Sequence, residues 1–498
     1  MLLKNLISEL QTIHTIAEDV LEQTVRGIAE DSRQIQPGYL FVAISGFGKD
    51  GHHFIGNAIE NGASFIVGEA EGLQLPVPYL QVADSRKALG ILAKAFYHNP
   101  SKAKLMIGIT GTNGKTTTSY LLKQIFESAG RSCTVMGTIQ NIINGQVAKS
   151  SNTTPNSLVA HQLLAKSTDD VVIMEVSSHG LSQHRIEGLE FDFCLFTNLH
   201  HEHLDYHDTL SEYFQAKSRL FDFLKPGGAA VVGTDTIWGT KLLGQLQTRG
   251  LKTFAVGETE ENKGELAFDV KNSRIRLVED GKKVHVPSPL AGMHNLLNTL
   301  MAYCTARAAG LPQEDILAAL HQFTGVAGRF ETFKLPTGAT VIIDYAHTPD
   351  ALLHVLTTAK QLDAKRIVHI FGFRGNRDIS KRKDMLSICS ELSGQYILTM
   401  DDLNSVAYSD MLSDLVRMNE QYGNEKGIIM PDRTLAIKFA MENSKPGDFI
   451  IITGKGHETY QQSYELPAQS DQEAMNYVLS DLETVSPGFG RQVEKSLF

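Results

Sequence analysis

Cysteine is scarce in this chain: four residues in 498, at positions 133, 194, 304 and 389, far apart and with no CxxC pair. That spacing supports neither a disulfide framework nor a cysteine zinc site, and it leaves four small apolar side chains suited to the interior. Long hydrophobic runs are missing too. No stretch approaches the roughly 18 uncharged residues that a membrane span needs, and the N-terminal MLLKNLISELQTIHT carries charges where a signal peptide would be apolar. A cytoplasmic location without a membrane span is therefore expected. Positive charge is sparse as well: no basic run of five or more occurs and the formal net charge is −10. Nucleic-acid binding, whose affinity comes from neutralising phosphates, is thus excluded, and any anionic small-molecule substrate must be held by local groups.

What is present is an α/β pattern longer than one core can serve. The first hundred residues mix strand-like runs, YLFVAI at 39 to 44 and SFIVG at 64 to 68, with short helical stretches, and close at Asn99-Pro100-Ser101. From Leu105 to about Phe330, apolar strands such as LMIGIT, CTVMG, DVVIMEV and FCLFTNL alternate with helix-length segments, as parallel strands buried on both faces do. After Arg329 the alternation restarts with ATVIIDY, RIVHIFGF, QYILTM and FIIITGKG. Three units are expected, over residues 1–103, 104–330 and 331–498. Because open parallel sheets bind ligands at the carboxyl ends of their strands, function is sought there.

One such end carries Gly111, Thr112, Asn113 and Gly114, between the strand Leu105–Thr110 and a helix opening with Lys115, Thr116, Thr117 and Thr118. Unpaired backbone N–H groups at the helix start, the helix dipole and the Lys115 ammonium together suit phosphates, and the Thr116 hydroxyl suits Mg²⁺. The strict G-x-x-x-x-G-K-[ST] pattern is not met, since Ile109 stands where its first glycine would be. A nucleotide site is favoured over a glycine turn beside a solvated lysine. The loop alone leaves kinase, GTPase, ATPase and ligase open.

Downstream, Glu175 ends the apolar run VVIM and is followed by Ser177, Ser178, His179 and Gly180, so a strand-end carboxylate sits where it can hold Mg²⁺. A second strand end leads into TNLHHEHLDYH, which gathers His200, His201, Glu202, His203, Asp205 and His207. Zinc would need a Cys/His pair at ligand spacing on a following helix, and none stands there. Thr209 and Glu212 read as a capping box opening a helix that Pro226-Gly227-Gly228 should end, with Lys217 in its middle. From spacing alone Lys217 reads as an exposed lysine.

Taken together, GTNGKTTT, TTP at 153 to 155, EVSSHGLSQHR at 175 to 185, NLHHEHLDYH with AK at 216 to 217, GMHNLLN at 292 to 298, GRFE at 328 to 331, DYAHTPDAL at 344 to 352 and GKGHETYQ at 454 to 461 resemble the Mur ligases. The match runs through nearly the whole chain. Within the family it looks most like the members that add the third residue to UDP-N-acetylmuramoyl-L-alanyl-D-glutamate, since EDSRQIQPGYLFVAISGFGKDGHHF at 30 to 54 is similar to their uridine-binding domain. That segment speaks against a folate-polyglutamate or cyanophycin-type ligase. The resemblance implies a UDP-binding N-terminal unit, a central ATPase unit and a C-terminal Rossmann-like unit, acting as a monomer on UDP-muramyl dipeptide, an amino acid and ATP. It implies that Lys217 is carbamylated and joins Thr116, Glu175 and His203 around magnesium, with Lys115, Lys217 and His203 as the catalytic groups. Asn295, Asn298, Arg329 and Asp344 match positions around the nucleotide, Ser32 a uridine contact, and Thr153, Thr154, Ser177, Gln183 and Arg185 positions that hold sugar and peptide.

The acceptor pocket departs from the family pattern. Members that accept meso-diaminopimelate carry DNPR, whose arginine pairs with the second carboxylate of the amino acid, whereas this chain has Asp401-Asp402-Leu403-Asn404. Phe373-Arg374-Gly375-Asn376-Arg377-Asp378 also differs from the usual glycine-rich GDRD stretch. Asparagine supplies no charged fork. The acceptor expected from the sequence is therefore L-lysine, bound by Asp401, Asn404, Gly454 and Glu458, with meso-diaminopimelate, or another acceptor in a paralogue, as the alternatives. A nucleotide-dependent switch without ligase activity is the reading from another class; no NKxD guanine signature supports it.

Overall fold

The computed structural model describes residues 1–485 except 47, 205, 259–265 and 270–271; Asp205 of the histidine loop thus lies outside the described residues. Three α/β domains follow one another, each built on its own sheet. The first sheet has four parallel strands, Gly27–Ala29, Tyr39–Val42, Ala63–Gly68 and Tyr79–Gln81, in chain order.

The central sheet has eight strands. Leu105–Thr110 lies in its middle, between Val171–Glu175 and Phe191–Phe196 and parallel to both. Side chains alternate across this strand as the pleat demands. Ile107 and Ile109 pack with Leu121, Ile125 and Phe126 of the helix Lys115–Ser128, and Met106 packs on the opposite face with Phe191, Phe196 and Phe214. Burial on both faces is the reason these strands are continuously apolar. Two antiparallel pieces were not expected: Gln140–Ile143 pairs with Gln146–Lys149 at the sheet edge, and Ala267–Asp269, Arg274–Glu279 and Lys282–Pro287 form a separate sheet.

The helix expected after Thr209 is present as Leu210–Ser218, but it ends far short of Pro226. Thr209 caps it by accepting from the Glu212 N–H at 3.1 Å, while the Glu212 carboxylate reaches the Asp208 N–H rather than that of Thr209. Pro226-Gly227-Gly228 lies instead within the strand Leu224–Gly233, where the register jumps from Phe191↔Leu224 to Phe193↔Ala229. A bulge tolerates proline because no ladder N–H is required there.

The last sheet has six strands, with Thr340–Asp344, Asp448–Thr453, Arg366–Phe373 and Gln395–Met400 side by side and parallel. Among the described residues no helix is long and apolar enough to cross a membrane.

Candidate active site

Residues that follow strand ends of the central and C-terminal sheets line one cavity of about 620 Å³. The phosphate loop forms its floor. Gly111 and Gly114 hold φ of 146° and 86°, and a Cβ on them would stand 1.8 Å from Thr197 Oγ1 and 2.2 Å from Asn298 Oδ1. The loop is pinned from the neighbouring strand end: Thr112 N donates to Asn198 O at 2.9 Å, Asn113 N to Asn198 Oδ1 at 2.9 Å, and Thr197 Oγ1 to Asn113 O at 2.6 Å. The helix begins at Lys115, and Thr112 through Thr117 all line the cavity.

Lys115 Nζ folds back onto Gly111 O at 2.8 Å and Thr112 O at 2.9 Å. Lys217 Nζ reaches the same Gly111 carbonyl at 2.8 Å from the far side. Lys217 is therefore not the exposed lysine that spacing suggests: it is 1% exposed, with Nζ 4.5 Å from the centre of the Tyr213 ring. Burial lowers the pKa of both lysines, and the Lys115 charge lowers that of Lys217 further.

Glu175 is fully buried behind this floor. It accepts from Thr116 Oγ1 at 3.0 Å, Thr138 Oγ1 at 2.8 Å and Thr138 N at 3.2 Å. Arg329 Nη2 donates to Thr116 Oγ1 at 3.2 Å, and its guanidinium lies 4.5 Å from the Tyr345 ring centre. Asp344 accepts from Phe330 N at 2.6 Å and Ala346 N at 2.7 Å, and burial raises its pKa. Asn298 Nδ2 donates to Asn295 Oδ1 at 3.4 Å, and both asparagines face the cavity beside Gly114.

His203 has a φ of 58° and lines the same cavity, its ring 4.9 Å from that of His179. Burial pushes its pKa down to about 3, so the imidazole is neutral with a lone pair available. Among the described residues no three His, Cys, Asp or Glu side chains already converge as metal ligands. A buried carboxylate, a threonine hydroxyl and a neutral imidazole nevertheless suit magnesium, which keeps waters and phosphate oxygens and takes few protein ligands.

On the N-terminal side, Thr153 and Ser177 line the cavity. Thr154 lies just behind, donating to Glu175 O at 3.0 Å and accepting from Ser177 N at 2.9 Å. Arg185 is held by Thr154 O at 2.9 Å and by Gln183 Oε1, but neither Arg185 nor Gln183 reaches the cavity wall. Ser32 lies outside it as well, buried in the turn Ser32–Gln34 of the first domain. At the acceptor end Asp401 lines the wall, Gly454 and Glu458 stand behind Arg374, and Asn404 turns away to donate to Gly375 O at 3.0 Å.

Several residues of this site carry no role in the sequence reading. Thr138 braces Glu175. Glu202 meets His347 at 3.0 Å and His200 meets Asp350 at 3.2 Å, each joining the central domain to the C-terminal one. Burial alone would raise the Glu202 carboxyl; the His347 hydrogen bond and the nearby positive charges hold it below its usual value. The signals were available, since His347 and Asp350 sit in DYAHTPDAL and Glu202 in the histidine loop, but pairing them requires the fold.

The chain matches the Mur ligase family catalytic domain over residues 24–97, the Mur ligase middle domain over 109–306 and the Mur ligase glutamate ligase domain over 328–456. It is 38% identical over 467 residues to the UDP-N-acetylmuramoyl-L-alanyl-D-glutamate--2,6-diaminopimelate ligase of Parabacteroides distasonis, covering 92% of this chain and 95% of that one. The enzyme of the same name from Bacillus velezensis is 37% identical, covering 90% and 92%. A solved ligase of this name superposes with a TM-score of 0.68 at 28% identity, covering 97% of this chain and 99% of that one. The MurF ligase of Thermotoga maritima in complex with ADP shares the fold, with a TM-score of 0.64 at 18% identity over 93% of this chain and 99% of that one. This chain belongs to the Mur ligase family, the ATP-dependent amide-bond-forming ligases of peptidoglycan synthesis.

Proposed function

We propose that this enzyme adds 2,6-diaminopimelate to UDP-N-acetylmuramoyl-L-alanyl-D-glutamate, as a monomer in the cytoplasm. The observation that carries the reading is the single cavity in which the phosphate loop, Thr116, His203, Arg329 and Asp344 meet residues of the acceptor end. The expectation of L-lysine is set aside. It rested on Asn404 and on the altered stretch Phe373–Asp378, whereas the relatives at 37% and 38% identity are named for 2,6-diaminopimelate.

In this reading residues 1–103 hold the uridine end of the substrate through Ser32, residues 104–330 hold ATP, and residues 331–498 present the amino acid. Thr153, Thr154, Ser177, Gln183 and Arg185 position sugar and peptide. Asn295, Asn298, Arg329 and Asp344 surround the nucleotide. Thr116, Glu175, His203 and a carbamylated Lys217 would hold Mg²⁺, whose charge would offset that on the transferring phosphoryl group. Burial first, and the Lys115 charge second, lower the pKa of the Lys217 amine, which favours carbamylation; addition of the amine to CO₂ would release one proton and leave a carboxylate-like group.

The γ-carboxylate of the D-glutamate attacks the γ-phosphorus of ATP, the bond to the β-phosphate oxygen breaks, and ADP leaves. The acceptor amine then attacks the acyl carbon, the carbon–oxygen bond to phosphate breaks, and inorganic phosphate leaves as the amine loses its proton. Lys115, by moving from its own loop carbonyls to the β- and γ-phosphates, supplies positive charge where it is needed. The test is ADP release with each substrate omitted in turn. Sustained release beyond one equivalent only when UDP-muramyl dipeptide and 2,6-diaminopimelate are both present supports the ligase. Release without them points to a nucleotide switch.

A further inference from the structure

Two departures from the family pattern stand side by side in the acceptor end. One removes an arginine, at Asn404, and the other introduces one, at Arg374. The strands that carry them, Arg366–Phe373 and Gln395–Met400, are paired in parallel with Phe373 opposite Met400, so both loops leave the same sheet edge. Asn404 is committed to holding the loops together: its Nδ2 donates to Gly375 O at 3.0 Å, and its own carbonyl accepts from Asn376 Nδ2.

We propose that the Arg374 guanidinium reads the distal carboxylate of the acceptor amino acid, taking the part that the residue at 404 cannot play. The proposal rests on the acceptor assigned above. Arg374 lines the cavity, with its side chain 15% exposed. Its Nη2 donates to Gly454 O at 2.8 Å and to Glu458 Oε2 at 2.5 Å, while the Tyr345 hydroxyl holds the other Glu458 oxygen at 2.9 Å. The Tyr345 ring centre lies 5.5 Å from the guanidinium carbon, so the fork is held in place before any ligand arrives.

Nη2 is engaged twice, which leaves the other two guanidinium nitrogens without hydrogen bonds. Nε is buried, lies 3.6 Å from Asp401 Oδ2 and has no hydrogen-bond partner, and among the described residues Nη1 has none either. Nε–H points to the buried Asp401 side, so the donors left for a ligand are those of Nη1, which can give a carboxylate oxygen a charge-assisted hydrogen bond. The other buried cations nearby are already engaged: Lys455 with Asp402 at 2.7 Å, Arg433 with Asp471 at 2.6 Å and Arg382 with Asp414 at 3.0 Å. Arg377 also lines the cavity but is exposed to solvent, where its charge is screened.

The test compares 2,6-diaminopimelate with L-lysine, which has the same chain length and second amine but lacks the distal carboxylate, in steady-state ligation by wild-type, Arg374→Gln, Arg374→Lys and Arg374→Gln/Asn404→Arg enzymes. Arg374→Gln is expected to raise KM for diaminopimelate by about 30-fold or more and to lower kcat/KM for L-lysine at least about 10-fold less than kcat/KM for diaminopimelate, because the carboxylate contact is lost for one amino acid only while the bonds to Gly454 O and Glu458 are lost for both. Arg374→Lys, which keeps the charge opposite Glu458 but not the fork, should show most of the same selective loss. The double variant should recover at least about 10-fold of it, since a guanidinium is restored from the neighbouring loop. An unchanged KM for diaminopimelate in Arg374→Gln would overturn the proposal alone. So would parallel losses with both amino acids, which mark a structural role. A wild-type enzyme that ligates L-lysine and not diaminopimelate would instead overturn the acceptor assignment and this inference with it.

Discussion

Thr116 and Glu175 share a 3.0 Å hydrogen bond between the first turn of the phosphate-loop helix and the carboxyl end of the adjacent strand Val171–Glu175. This contact ties the group facing the phosphates to the carboxylate proposed to hold the cation. Glu175→Gln keeps an acceptor but removes the charge. The expected outcome is a rise of at least ~10-fold in the magnesium concentration for half-maximal activity. Magnesium titrations of ADP release that superimpose for variant and wild type would remove Glu175 from the cation site.

Lys115→Ala is expected to lower kcat by about 1000-fold or more, since the lost charge acts on the transferring phosphoryl group. Affinity for the UDP-muramyl dipeptide, measured by calorimetry, should be nearly unchanged. Appreciable product formation by this variant would show that the loop does not bind the transferred phosphate.

Gly114→Ala places a Cβ 2.2 Å from Asn298 Oδ1 on a backbone at φ 86°, and Gly114 is followed at once by the helix start. The loop must shift, and KM for ATP should rise at least ~10-fold, because a left-handed conformation costs a non-glycine residue on the order of 1 kcal/mol before the clash is counted. Adding Asn298→Ser should relieve the clash and leave the backbone strain, giving partial recovery. Full recovery would show that strain contributes nothing.

His369 lies in the interior of the C-terminal sheet, stacked on Phe371 with its Nε2 2.9 Å from Thr453 Oγ1. Burial first, and the Arg433 charge second, push its pKa from 6.5 down to about 3. Between those values the unfolded chain binds a proton that the folded one does not, so stability falls as pH drops below 6.5, by up to about 1.4 kcal/mol per pH unit for this group. His369→Gln should therefore flatten the denaturant-midpoint profile between pH 6.5 and 4. A profile parallel to that of the wild type would show that His369 is not held neutral in the folded state.

Much of this site was legible because it is local. A strand, a two-glycine turn and a helix start occupy consecutive positions from Leu105 to Ser128, and Glu175 closes an apolar strand by its own position in the sequence. The end of the helix carrying Lys217 was not legible. Pro226-Gly227-Gly228 reads as a stop, but the bulge that accepts it exists only because Leu224–Gly233 pairs with Phe191–Phe196. The edge hairpin and the small antiparallel sheet were missed for a similar reason: their strands are short and half-polar, and pairing partners rather than periodicity define them.

By itself, the order of residues along the chain determined the α/β class, the phosphate loop and the family, because each rests on patterns within a few turns of backbone. Folding decided what those patterns mean for charge. Lys217 passes for a surface lysine until Gly111 O, Tyr213 and Lys115 close around it, and desolvation then lowers its pKa. The acceptor end was likewise decided in three dimensions. Asn404 signals a missing guanidinium, yet Arg374 stands in the loop that follows the neighbouring strand, a neighbour that only strand pairing brings into reach.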